Sequence, residues 1–363
     1  MASDVSFETA LSQTRKSAEE RSVLLESPGF GQVFTDHMVT ARFSPDRGWH
    51  DARVEAYRPI ALDPATSVLH YGQAVFEGLK AYQQPDGSVA LFRPDQNAAR
   101  FQRSARRLAM AEVPESLFLG SIDRLLEVDR DWVPQRPGES LYLRPLEIAT
   151  DAFLGVRPSA SYLFLLFASP AANYFPGPVR PVTVWLSTDY VRAAPGGTGE
   201  AKCAGNYAAS LLAQMQAAEQ GCDQVVWLDA VEHRYVEEMG GMNLYFVRSD
   251  GRLSTPPLTG TLLPGVTRDS ILVLGGDLGL DIEERPISIE EWEAGCADGS
   301  ISEVFACGTA AVVTPVGEVK HSGGTFAVAD AQPGAVTMKI REALLGIQHG
   351  TAPDPHGWMQ RVG

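Results

Sequence analysis

The sequence predicts an α+β protein of two domains, on three observations. Its 363 residues exceed what one hydrophobic core usually serves. Strand-like and helix-like stretches follow one another in mixed order rather than in strict alternation. A stretch dense in proline and glycine, Pro170 to Pro181, interrupts two strand runs and reads as the interdomain connection. This places an N-terminal domain over residues 1–172, a connection over 173–181 and a C-terminal domain over 182–363.

Along the first half, "MVTARFS" and "ARVEAYRPI" carry strand patterning, and "GLKAYQQPDGSVALF" is two strand runs joined by a Pro-Asp-Gly turn. Helical spacing begins at Pro94 and runs to Met110, with Phe101, Ala105 and Leu108 on one face. A second helix follows in "PESLFLGSIDRLLEV". Strands return in "SLYLRPLEIA" and in "SYLFLLFAS", whose unbroken apolar run predicts burial on both faces. In the second half, a strand ("VTVWLSTDYV") leads to a glycine-rich stretch and a helix over 208–220. Strands "QVVWLDA" and "GMNLYFVRSDGRLSTPP" come next, then helices near 267–274 and 288–295. Strands "SEVFACG" and "AAVVTPV" precede a final amphipathic helix, "GAVTMKIREALLGIQ".

A formal net charge of -15 argues against nucleic acid or an anionic membrane as partner. The four cysteines (Cys203, Cys222, Cys296, Cys307) have no CxxC spacing and read as reduced thiols. The N-terminal segment lacks an apolar signal region, and the apolar runs are too short to span a bilayer. A cytoplasmic protein is expected, with no metal site.

Chemistry concentrates around "GGTGEAKCAGNY". The chain has five lysines: Lys16, Lys80, Lys202, Lys320 and Lys339. Only Lys202 has small, flexible neighbours on both sides and a helix soon after. Such an amine suits Schiff-base chemistry, since a desolvated ammonium loses its proton readily and attacks a carbonyl; the bland reading is a lysine in a surface glycine loop. An anion cradle is available at the Pro-Gly turn before Val266 and Thr267, where a helix begins. The Gly308-Thr309-Ala310 turn offers a second, and Arg100 a guanidinium fork. Nucleotide-binding GxGxxG and P-loop signatures are absent. "RYVEEMGGMNLYF" supplies Glu237 and Glu238, either a carboxylate for a pyridine nitrogen or two solvated loop acids.

Eight motifs, in order, carry a resemblance: "FGQVFTDHM", "HYGQAVFEGLKAY", "LFRPDQNAARFQRSARRL", "SLYLRP", "GEAKCAGNY", "EMGGMN", "LPGVTRDSIL" and "CGTAAVVTPV". From about Phe30 to Trp358 the sequence resembles the branched-chain amino acid aminotransferases, enzymes of the fold-type IV class that use pyridoxal 5'-phosphate. That resemblance implies a small N-terminal α/β domain, a larger C-terminal domain with a pseudo-barrel sheet, and an active site at the domain interface. It implies transfer of the amino group of leucine, isoleucine and valine to 2-oxoglutarate. D-amino-acid aminotransferases and aminodeoxychorismate lyases share the fold, the lysine and the glutamate, but "FTDHM", "SLYLRP" and the chain length favour the branched-chain enzymes. A non-catalytic phosphate-binding scaffold would lack the visible, borohydride-sensitive absorbance of a lysine-bound cofactor.

The resemblance also implies roles. Lys202 is similar to the lysine that forms the internal aldimine, Tyr207 to the tyrosine on the cofactor's phenolic oxygen, and Glu238 to the partner of the ring nitrogen. Arg100, Arg192, Val266, Thr267 and Thr309 match phosphate and ring contacts, with Leu263 packing on the ring. Phe30, Tyr71, Phe76, Tyr142, Tyr174, Gly241 and Ala310 match the side-chain pocket, and Arg144 a group that accommodates glutamate's second carboxylate. Leu154 and Val156 match residues that reach the neighbouring subunit's pocket, implying a homodimer. Two positions depart from relatives. Ala311 and Thr314 stand where mammalian members have a redox CxxC pair, and Gly241 where some members have threonine.

Overall fold

The computed structural model of the chain describes residues 6–172 and 179–362. They divide into two units: residues 6–172, 201–204 and 346–362 form the first, residues 179–200 and 205–345 the second.

In the first unit one sheet gathers strands β1 (Glu8–Ala10), β2 (His37–Ser44), β3 (Gly48–Ala56), β4 (Ala74–Phe76), β5 (Leu79–Gln83), β6 (Val89–Phe92), β7 (Ser140–Ala149) and β8 (Tyr162–Ala171). The order is β1-β3-β2-β8-β7-β5-β6, with the C-terminal strand Met359–Arg361 beyond β6 and β4 pairing β7. Apart from β1 against β3, every pairing is antiparallel. Strand β8 is central and, as its apolar run predicts, all but one of its residues are buried. Helix α1 (Ala18–Glu26) begins in a capping box, Ser17 and Glu20 satisfying each other's backbone amides. Helix α2 (Ser67–Tyr71) is a short turn ending at left-handed Gly72. Helices α3 (Pro94–Arg107) and α4 (Glu115–Asp129) start at or just after a proline, where a missing N–H costs nothing. Their apolar faces cover one side of the sheet: Phe101 lies 5.5 Å from Phe118 and 6.0 Å from Phe164, centroid to centroid, in a core with Leu141 and Leu143.

In the second unit, β9 (Val182–Leu186), β10 (Gln224–Leu228), β11 (Val236–Met239), β12 (Met242–Arg248), β13 (Arg252–Thr255), β14 (Asp281–Glu284), β15 (Ile301–Gly308), β16 (Val312–His321) and β17 (Gly324–Ala327) form another sheet. Its path β11-β10-β9-β16-β15-β12 closes on itself through β11–β12, a six-stranded barrel, with β13 and β14 extending from β12 and β17 from β16. Helices α5 (Ala204–Ala208) and α6 (Leu211–Glu219) follow the lysine stretch. Ala213 and Ala217 of α6 pack on Val225 and Trp227. Helices α7 (Val266–Asp277), α8 (Ile289–Asp298) and α9 (Ala335–Gln348) complete the chain, and Trp292 of α8 meets Phe246 edge-on at 5.2 Å.

The two returns of the chain to the first unit, at 201–204 and 346–362, have no local sequence signal. Strand β11 differs from a loop of solvated acids: all four of its residues are buried.

Candidate active site

Lys202 belongs to the first unit although the chain on either side belongs to the second. Backbone bonds hold it there: Phe76 N–H donates to the Lys202 carbonyl (3.0 Å), and Lys202 N–H donates to Ser104 Oγ (2.9 Å). Cys203 bridges to Val75. The Lys202 ammonium nitrogen lies 5.0 Å from the centroid of Phe76, in cation–π range.

Beside it is a carboxylate the motifs did not single out. Glu77 is fully buried and receives Arg100 bidentately, Nε to Oε1 at 2.7 Å and Nη2 to Oε2 at 2.9 Å. Asn97 Nδ2 adds a third bond at 2.7 Å. Burial opposes ionisation of Glu77, but the charge and hydrogen bonds of Arg100, then Lys202 and Asn97, hold its carboxyl below the ordinary range. Arg100 is therefore buried at the site, with two of its donors committed to Glu77.

On the same unit, Phe30 packs edge-on against Tyr142 (5.0 Å), and the Arg144 guanidinium lies 4.9 Å from the Phe76 ring and 5.3 Å from the Tyr142 ring. Arg144 Nη2 donates to the Tyr142 hydroxyl at 3.2 Å. Its Nε is buried without a hydrogen-bond partner among the described residues. Gly78 is required here: a Cβ would sit 1.9 Å from the Tyr142 hydroxyl oxygen. Tyr71 donates to the Leu154 carbonyl, and Leu154 and Val156 are exposed, at 70% and 89%. Tyr174 lies outside the described residues. Lys80, which has no distinctive sequence context, proves to be buried, paired across strands with Tyr142.

The second unit assembles the other group. Glu238, on β11, is 1% exposed; its Oε2 meets Arg192 Nε at 3.1 Å and its Oε1 accepts from the Leu263 amide at 2.5 Å. Arg192 is spent on this carboxylate and on carbonyls, Nη1 donating to Thr261 (2.8 Å) and both Nη atoms to Gly199 (3.2 Å). Arg192 thus pairs directly with Glu238. Asn243 Nδ2 holds the Leu263 carbonyl at 3.1 Å, fixing the loop that supplies the amide.

The small residues of "GGTGEAKCAGNY" gain a physical reason. A Cβ on Gly199 would lie 2.3 Å from the Thr261 carbonyl oxygen, so glycine lets this loop approach closely enough for Arg192 to bridge both backbones. Gly265, in extended conformation at the start of α7, would place a Cβ 2.2 Å from Asn243 Oδ1. The amides of Val266 and Thr267 follow it, in the first turn of a 12-residue helix. Thr309 and Ala310 occupy the β15–β16 turn. The Tyr207 ring lies 3.6 Å from where a Cβ on Gly241 would be, ordinary contact distance, so space alone does not demand glycine there. Among the described residues, no cluster of three or more His, Cys, Asp or Glu is placed to hold a metal, and no helix is long and apolar enough to cross a membrane.

Comparison with known proteins gives this arrangement a context. Residues 74–319 match the family described as Amino-transferase class IV. The chain is 61% identical over 346 residues to the branched-chain-amino-acid aminotransferase of Mycolicibacterium smegmatis, covering 94% of each chain. Its fold is similar to the crystal structure of the Escherichia coli branched-chain amino acid aminotransferase, with a TM-score of 0.74 at 30% identity over 85% of this chain and 97% of that one. The branched-chain aminotransferase of Thermoproteus uzoniensis, solved with norvaline, aligns with a TM-score of 0.73 at 26% identity, over 90% of this chain and 100% of that one. The chain is thus a class IV aminotransferase of fold type IV, and it belongs to the branched-chain amino acid aminotransferase family.

Proposed function

We propose that this chain reversibly transfers the amino group of leucine, isoleucine and valine to 2-oxoglutarate, as a cytoplasmic homodimer using pyridoxal 5'-phosphate held by Lys202. The observation that carries the reading is the buried Glu238, set between the Arg192 guanidinium and the Leu263 amide. A carboxylate so placed suits a protonated pyridine nitrogen, and breaking such a buried pair costs about 3–5 kcal/mol, so the pair keeps its geometry.

When bound, the cofactor supplies an electron sink that makes the substrate's Cα–H acidic. The chain's residues do the rest. The Lys202 amine would take the proton from Cα and pass it to the cofactor's C4' carbon, a role in which a positioned base contributes about 10²–10⁴-fold. Glu238 would keep the ring-nitrogen proton in place. With the cofactor bound, Tyr207 would meet its phenolic oxygen, Leu263 its ring, and the Val266 and Thr267 amides with Thr309 and Arg100 its phosphate. Arg192 orients Glu238. Phe30, Phe76 and Tyr142 form an apolar wall for the branched side chain, with Tyr71, Tyr174, Gly241 and Ala310 completing the pocket. Arg144 serves the second carboxylate of glutamate. Leu154 and Val156, exposed on one protomer, reach the partner's pocket.

The reading is tested with a panel of amino acids against 2-oxoglutarate, using wild type and Lys202→Ala. Turnover of leucine, isoleucine and valine that vanishes in the variant supports it. Turnover by Lys202→Ala, or activity confined to D-amino acids, refutes it.

A further inference from the structure

Successive side chains of a strand point to opposite faces, so where Glu238 faces Arg192, its neighbour Glu237 turns away. Glu237 is only 5% exposed. Its Oε1 accepts from the Thr261 hydroxyl, while Oε2 is buried with no hydrogen-bond partner among the described residues. A buried acceptor left unmade is costly, and this one is not between Glu238 and its partners.

Glu237 lines a cavity of about 310 Å³ within the second unit, at the low end of the range for small-molecule sites. The walls are mainly apolar, with Pro195, Val236, Pro256, Leu262 and Pro286 among them. Of the charged residues, Asp229, Glu232 and Glu237 line it, and no lysine or arginine does. Asp229 is already satisfied by the amides of Val231, Glu232, Arg234 and Tyr235. This leaves Glu237, whose Oε2 has no hydrogen-bond partner among the described residues, as the unsatisfied carboxylate of an acidic, apolar lining. Arg192, Glu238, Tyr207 and Leu263 are not in its lining; Thr261 stands between, its hydroxyl on Glu237 and its carbonyl on Arg192.

We propose that this cavity is a second binding site, distinct from the transamination site, for a small organic ammonium with an apolar body that pairs with the Glu237 carboxylate. A neutral molecule would satisfy the apolar walls but leave the acidic lining uncompensated. Burial pushes the Glu237 carboxyl up to about 7; Thr261 and Arg192 pull it down, while Glu238 and Asp229 push it up. A bound cation favours the ionised form, so binding strengthens as pH rises through 7.

The test titrates the holoenzyme calorimetrically with N,N-dimethylbenzylamine, a tertiary ammonium that carries one N–H donor and cannot form an imine. Saturable binding at one site per chain is expected, with affinity rising up to about tenfold between about pH 6 and pH 8, as the ionised fraction of a group titrating near 7 requires. Glu237→Gln should weaken it at least about tenfold, as should replacing the amine with neutral benzyl methyl ether, and saturating 2-oxoglutarate should leave it unchanged. The proposal is overturned by absence of saturable binding, by equal affinity for the ether, or by displacement with 2-oxoglutarate. Affinity unchanged in a normally melting Glu237→Gln also overturns it, and if that variant does not fold, a flat pH profile in the wild type does so.

Discussion

Replacing Arg144 by methionine separates the two substrate types that one pocket must serve. The guanidinium lies against Phe76 and Tyr142, donates to the Tyr142 hydroxyl at 3.2 Å, and keeps its buried Nε without an acceptor among the described residues. A carboxylate arriving there gains charge-assisted hydrogen bonds worth about 1.5–3 kcal/mol, and the leucine side chain has nothing to offer that donor. Methionine retains most of the apolar stem that packs on the rings, so the loss falls on the charge rather than on the wall. At about 1.4 kcal/mol per decade, affinity for glutamate and 2-oxoglutarate should fall roughly ten- to a hundredfold. The leucine half-reaction should change by less than about threefold, because the lost group makes no bond to that substrate. Stopped-flow half-reactions with each amino acid, beside a melting curve, measure both. Equal losses for leucine and glutamate, or a lowered Tm with both affected alike, would refute the selectivity argument and leave Arg144 a buttress of β7.

Other perturbations probe neighbouring claims. Glu238→Gln should lower kcat/KM by at least about a hundredfold and Glu237→Gln by less than about fivefold, since only Glu238 meets Arg192 and the Leu263 amide; the reverse order would mean that the wrong carboxylate has been assigned. Gly199→Ala should cost stability and activity together, because its Cβ would meet the Thr261 carbonyl at 2.3 Å and push away the loop that Arg192 bridges; a variant with wild-type Tm and turnover would contradict the close approach. Glu147, on β7, is buried with neither carboxyl oxygen bonded among the described residues, and burial holds its pKa well above the usual range. Its folded pKa being raised, the stability penalty is absent below the unfolded pKa and grows as pH climbs toward the folded one, by at most about 1.4 kcal/mol per unit. Glu147→Leu should therefore be more stable than wild type by an amount that widens between about pH 5 and 7 in thermal melts, and a constant or negative difference would show that the carboxyl has a partner.

The strands and helices with long, regular patterning were legible: the apolar run of β8, the Phe101 and Ala105 stripe of α3, the Pro-Gly entry to α7. What escaped was decided by partners far along the chain. Glu77 reads as one acid between Phe76 and Gly78, and only folding brings Arg100 and Lys202 beside it. Its clue was a lone carboxylate in an otherwise apolar strand run. "VEEM" reads as polar loop because both glutamates are charged, yet β11 is buried throughout, each carboxylate finding its own partner on its own face. Arg192 could be located by motif but not oriented, since its carbonyl acceptors lie at Gly199 and Thr261. Lys80 and Lys202 differ in sequence context but neither is fully exposed, so the small neighbours of Lys202 are not by themselves what selects it. Short strands such as β4 and β17 are too brief for periodicity to register.

Which lysine carries the cofactor is the most direct question to put to the enzyme. Purified protein incubated with pyridoxal 5'-phosphate, reduced with borohydride and digested should yield one phosphopyridoxyl-labelled peptide, the one containing Lys202. The visible absorbance should vanish on reduction, and Lys202→Ala should give neither the band nor the label. Label on the peptide containing the buried Lys80, or a labelled Lys202→Ala protein, would contradict the assignment.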